Sequence, residues 1–124
     1  MTSQGHPYTR FERALATRNP LLATAAAHEL GRLGLADALR LVLLYREAGD
    51  RRFEPGALRW HARLCAEAHG LTLAGAAASA QALLAIAGAE VERGVEALAE
   101  LLEATGFELA VAALDEWAAG RGGG

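Results

Sequence analysis

The sequence predicts an all-α fold: a single domain of six or seven antiparallel helices, built as a bundle or a short α-solenoid. Three observations carry this. Alanine occurs 30 times and leucine 21 times in 124 residues, and both are strong helix formers. Isoleucine occurs once, phenylalanine three times and tyrosine twice, so few residues favour strands. Apolar residues recur at spacings of three and four along most of the chain. With 52% hydrophobic and 22% charged residues, the chain is globular rather than disordered.

Each element has its own signal. Phe11, Ala14, Leu15 and Arg18 share one face of a first helix expected over 8–18. Asn19-Pro20 suits an N-cap followed by a first helical position, so a second helix is expected to run to about Leu30. Gly31 and Gly34 bracket a break. A third helix, 35–48, is apolar in almost every direction, with Asp37, Arg40 and Glu47 as a narrow polar strip. Such a helix belongs in the middle of its domain. Gly49-Asp50 ends it. Pro55 is the expected start of a fourth helix running to His69, with Gly70 as its cap.

A fifth helix, 72–87, lies in a stretch with no charge between Gly70 and Ala89. It is too short and too alanine-rich for a membrane span, which takes about 20 strongly apolar residues. It is therefore expected to be central, like the third. The sixth helix, 89–105, carries Val91, Val95, Leu98 and Leu102 on one stripe; the seventh, 107–119, repeats the spacing with Phe107, Val111, Leu114 and Ala118. Connections of two to six residues make neighbours antiparallel. The echo of Arg10-Phe11-Glu12 in Arg52-Phe53-Glu54, and of Phe107-Glu108 later, is compatible with stacked helical hairpins. Residues 1–7 and 120–124 carry no apolar pattern and are expected to be disordered, leaving 8–119 as the domain.

Charge is unevenly distributed. Residues 1–31 sum to +1, residues 32–63 to +3 and residues 64–124 to −7, which together give the net −3. All twelve basic residues other than histidine are arginine. A basic middle and an acidic C-terminal half point to contact between charged faces. The basic candidates are Arg51, Arg52, Arg59 and Arg63, with Trp60 beside them as the kind of side chain that anchors interfaces. The acidic candidates are Glu92, Glu96, Glu100 and Glu103, whose helical spacing is mutually repulsive. These faces are expected to meet within one molecule, between two copies or across a protein partner.

Chemistry has thin support. His61, Cys65 and His69 are spaced i, i+4, i+8, which on one continuous helix gathers potential zinc ligands in one sector. The same spacing suits a core edge, with Leu58, His61, Leu64, Cys65 and Ala68 on the buried face. A Cys65–His69 nucleophile pair would lack an oxyanion loop and an orienting third group. No phosphate loop, His-Glu-x-x-His or Gly-x-Ser-x-Gly occurs. No catalytic residues and no cofactor are therefore assigned. Cys65 is the only cysteine, which rules out an intramolecular disulfide and fits a reducing cytoplasm. The N-terminus does not read as a signal peptide.

The stretch Arg10-Phe11-Glu12-Arg13-Ala14-Leu15, the run Ala25-Ala26-Ala27-His28-Glu29-Leu30, the run Leu35-Ala36-Asp37-Ala38-Leu39 and the segment from Arg52-Phe53-Glu54 to Arg59-Trp60 together resemble uncharacterised short all-helical proteins of high-GC actinobacteria. The resemblance covers about residues 8–86. It implies an all-helical fold and a bacterial cytoplasmic origin, and carries over no active site. Pro55-Gly56 departs from the helix formers of that pattern, which leaves the start of the fourth helix open.

The functional expectation is a non-enzymatic protein-interaction or adaptor module. The alternatives are a small-ligand or metal-responsive module using His61, Cys65 and His69, and weak nucleic-acid binding through the central arginines. The basic face is sparse for the latter, and no basic second helix of a helix-turn-helix is visible.

Overall fold

The computed structural model describes residues 6–122, which form seven helices and no strand: α1 (His6–Thr17), α2 (Pro20–Leu30), α3 (Leu35–Ala48), α4 (Phe53–Glu67), α5 (Leu73–Ala87), α6 (Val91–Ala104) and α7 (Glu108–Gly122). The helical body thus begins before, and ends after, the expected limits of 8 and 119. Pro7 is tolerated because first-turn N–H groups need no helical partner. Residues 1–5 and 123–124, assigned to disordered ends, lie outside the described residues.

Helices α3 to α7 form a closed ring. Each packs on the next, and α7 returns to α3. That return contact separates a bundle from a solenoid, in which each unit touches only its neighbours. The ring encloses the main core, where Leu39, Leu43, Trp60, Leu64, Ile86 and Leu98 are completely or almost completely buried. The α1–α2 hairpin is appended to α3 through a second core of Phe11, Ala14, Ala23, Ala26 and Leu44. Helix α3 supplies side chains to both cores, so its all-round apolar sequence has the expected physical reason.

Helix ends follow local chemistry. The Asn19 side chain accepts from the N–H groups of Leu21 and Leu22, and Thr72 accepts from Gly75. Gly49 closes α3 in the left-handed region at φ 67°. Arg18 takes a similar conformation, at φ 61°, to turn the chain between α1 and α2. Helix α4 starts two residues earlier than Pro55 suggested. The Asp50 carboxylate accepts from the Arg52 N–H at 2.8 Å, and the Asp50 carbonyl accepts from Phe53, so the first turn is organised before the proline.

Helix α5 is a correction. It is not central: it buries Ser79, Ala82, Leu83 and Ile86, while Leu73 is 90% exposed and Leu84 72%. Uniformly apolar sequence gives no periodicity to say which side turns inward, and exposing alanine costs little. Among the described residues, no helix is long and apolar enough to cross a membrane.

Long-range polar contacts fasten the elements. Arg40 makes two hydrogen bonds to Glu12 and one to Asp37, tying α1 to α3. Arg46 donates to the carbonyls of Ile86 and Gly88, satisfying the end of α5. Arg121 bonds Glu47 at 2.8 Å, joining α7 to α3. Arg40 holds Glu12 below the usual carboxylate value of 4.5 through those hydrogen bonds, against partial burial. Tyr8, between Glu12 and Asp37, is pushed up to about 12, first by hydrogen bonding with Glu12 and then by burial. A depressed carboxylate stabilises the fold fully above its unfolded value and loses that contribution as pH falls through the folded value. Acid is therefore expected to loosen α1 first. Amide protection factors in α1, corrected for the intrinsic exchange rate, should fall below about pH 4.5 ahead of those in the ring helices, and Glu12→Gln should reduce that step. A uniform fall in protection in both proteins would contradict this assignment.

Candidate interaction surfaces

The basic candidates separate into two kinds. Arg51 and Arg59 are exposed and make no ion pair among the described residues. Arg52 folds back on Asp50, its Nη1 lying 3.1 and 2.9 Å from the two carboxylate oxygens. The backbone N–H of Arg52, followed by its guanidinium, holds the Asp50 carboxyl below its usual range. Arg63 is a structural brace: Nε donates to Glu67 and Nη1 to the Leu33 carbonyl, holding α4 to the α2–α3 connection. Arg52 and Arg63 therefore have partners within the chain.

Trp60 is not a surface residue. It is 1% exposed, within the main core, and its indole N–H donates to the Leu35 carbonyl at 2.9 Å. The buried face of α4 is Gly56, Ala57, Trp60 and Leu64. The expected face through Leu58 and Cys65 points outward instead. Helical spacing allowed both faces; the one containing the large indole is buried, where it removes most apolar area from water.

The histidine–cysteine spacing does not make a ligand set. Helix α4 ends at Glu67, so His69 is off the helix. His61 is half-buried, and its Nε2 lies 2.9 Å from the Ala76 carbonyl. A carbonyl only accepts, so Nε2 carries the proton and His61 is a tether from α4 to α5. Cys65 is exposed, its sulfur 3.9 Å from the His61 ring nitrogens. Among the described residues, no three His, Cys, Asp or Glu side chains are grouped to hold a metal ion.

The sequence left open whether the acidic candidates pair within the molecule. Glu92, Glu96, Glu100 and Glu103 are all exposed on α6, and none makes an ion pair among the described residues. The single ion pair at that helix, Arg93 with Glu90 at 3.5 Å, joins two highly exposed side chains and contributes little. The basic and acidic candidates do not neutralise each other within the chain. No protein-family model, curated protein or solved structure matches this chain. The faces themselves therefore carry the functional reading.

Two features escaped sequence reasoning. One is an open cleft of about 420 Å³ between α1, α3 and α7, lined by Glu12, Arg40, Glu47, Trp117 and Arg121 among others. Its charges largely pair with one another, and Arg121 also stacks on Trp117 at 4.9 Å. The buried Trp117 Nε1 has no hydrogen-bond partner among the described residues. The pairing partners are 28 and 74 positions apart, so no local spacing announces them. The other is the outward apolar face of α5 with Leu58 of α4, whose signal was the uncharged run from Gly70 to Ala89.

Proposed function

We propose that this chain is a protein-interaction or adaptor module that recruits a basic partner along α6. The observation that carries this is the row Glu92, Glu96, Glu100 and Glu103, exposed and without an ion-pair partner among the described residues. Like charges at i, i+3 and i, i+4 weaken a helix by a few tenths of a kcal/mol per pair, roughly. Glu92 stands in the first turn of α6, where the helix dipole favours it, but Glu96, Glu100 and Glu103 cost the fold, and a contact outside the fold explains them. A positively charged helix or tail is the matching chemistry, with long-range steering as an added benefit. Arg59 on α4 and Arg51 in the turn before it offer a second contact of opposite charge, which is what an adaptor joining two partners requires. A reducing cytoplasm is the compartment we assign, since it keeps the exposed Cys65 thiol free.

The test uses Glu96→Gln/Glu100→Gln/Glu103→Gln, a change confined to exposed positions. The variant should lose salt-sensitive partners captured by the wild type from a lysate of the source organism, while folding at least as stably. Identical captured sets would remove α6 as the binding face.

A further inference from the structure

The outward side of α5 is uncharged along its whole length and apolar apart from the exposed Gln81, and the helices on either side continue it. Leu73 and Leu84 are 90% and 72% exposed, with Ala77 between them on the same stripe. Helix α4 flanks this stripe on one side, tethered by His61 to the Ala76 carbonyl, and turns outward Leu58, 65% exposed, with Ala62 and Cys65. Helix α6 flanks it on the other side, where a Cβ on Gly94 would meet Ala82 and Ala85. Its edge toward α5 shows Ala97 and Ala104. Soluble monomers rarely leave a contiguous apolar area of this kind in water.

We propose that this face is covered by a second copy of the chain, related by a two-fold axis running along α5. Three features of the face select that occupant. First, α5 carries no charge, so two copies meet at the axis without like-charge repulsion. Second, the flanks are unlike in a way that the axis uses. Gly94 lies by Ile86 and Leu101 by Gly75, so α6 runs opposite to α5; α4, joined to α5 by a short connection, also runs opposite. Rotation about α5 then lays α4 of one copy over α6 of the other in the same direction. This sets Leu58 over the small Ala97, and Cys65 over Ala104. Third, the same rotation sets Glu54, in the first turn of α4, opposite Arg93, in the first turn of α6. Both are exposed, Glu54 has no ion pair among the described residues, and Arg93 has only the loose contact with Glu90. Every pairing occurs twice, as an isologous interface requires. Of the acidic row of α6, Glu92, Glu96 and Glu103 point further round the helix, while Glu100 falls at the edge of this contact beside Arg93.

Sedimentation equilibrium of the full chain tests the proposal. The wild type is expected to dimerise. Leu84→Glu, at a solvent-facing position, should leave the circular dichroism unchanged and weaken the dimer about thirtyfold or more. Glu54→Arg and Arg93→Glu should each weaken it severalfold, and the double variant should restore it, because the swapped charges face each other again. Leu84→Cys in a Cys65→Ser background should form an intermolecular disulfide on mild oxidation, since Leu84 meets its own symmetry mate at the axis. A wild type that stays monomeric at high micromolar concentration overturns the proposal and leaves the face to a foreign partner. A dimer indifferent to Leu84→Glu overturns it by placing the contact elsewhere. A dimer in which Leu73→Cys crosslinks only to Leu84→Cys overturns the stated axis.

Discussion

Trp60→Ala is expected to lower the stability of the fold by about 3–5 kcal/mol, the usual range for deleting a buried indole. The side chain is 1% exposed and packs within the ring formed by α3 to α7. Its N–H is satisfied by the Leu35 carbonyl, so burial carries no polar penalty. Truncation opens a cavity between α4 and α3 and removes the hydrogen bond that fixes where α3 begins. Small domains have about 5–15 kcal/mol in total, so the variant should unfold at much lower denaturant or not accumulate. Trp60→Phe, which keeps most of the apolar volume, should cost about 1–2 kcal/mol and leave partner capture unchanged. Chemical denaturation of the three proteins checks this. A loss below about 1 kcal/mol for Trp60→Ala would mean the indole is not the packed anchor described.

Gly94→Ala should also destabilise, by about 2–3 kcal/mol, although alanine is the better helix former by roughly 1 kcal/mol. A Cβ at that position would stand 2.6 Å from the Ala82 carbonyl oxygen and 2.9 Å from Ala85 and Ile86. Backbone cannot step aside as a flexible side chain can, so α5 and α6 would have to separate along their whole contact. These two helices make the most extensive pairing in the molecule. Gly120→Ala is the control: nothing lies within 4 Å of the new methyl, and propensity should dominate, giving a gain of about 0.5 kcal/mol. Thermal melts should move in opposite directions, with about 3–6 °C per kcal/mol. A stabilising Gly94→Ala would show that α5 and α6 lie further apart than described.

These two positions also mark how far the sequence could be read. The limits of α3 were legible because Gly34 and Gly49 bracket a continuous apolar run. The α1–α2 turn was legible because Asn19-Pro20 has one local solution. The inward face of α4 was not, since two stripes competed. Phe53, Trp60 and Leu64 share the spacing that buries, and the two aromatics were the available signal. Nor was the role of α5 legible, because a helix of alanines has no hydrophobic direction to follow. Ties such as Arg40–Glu12 and Arg46–Ile86 depend on tertiary proximity, which no local spacing encodes. Nothing in the local pattern singles out Gly94; only the neighbouring backbone shows that its missing side chain is what lets α6 approach. The exposure of the acidic row of α6 was legible as charge at helical spacing, but which of Arg51, Arg52, Arg59 and Arg63 have partners was not, because Asp50, Glu67 and the Leu33 carbonyl are brought to them by the fold.

The measurement that bears most directly on the functional reading is the stability of Glu96→Gln/Glu100→Gln/Glu103→Gln against the wild type at low and high salt. These side chains repel one another and have no ion-pair partner among the described residues. Their neutralisation should therefore raise stability by about 1 kcal/mol at low salt, with the gain shrinking as salt screens the repulsion. A clear loss of stability at low salt would mean that the carboxylates are engaged inside the fold, and the case for a waiting basic partner would fall with them.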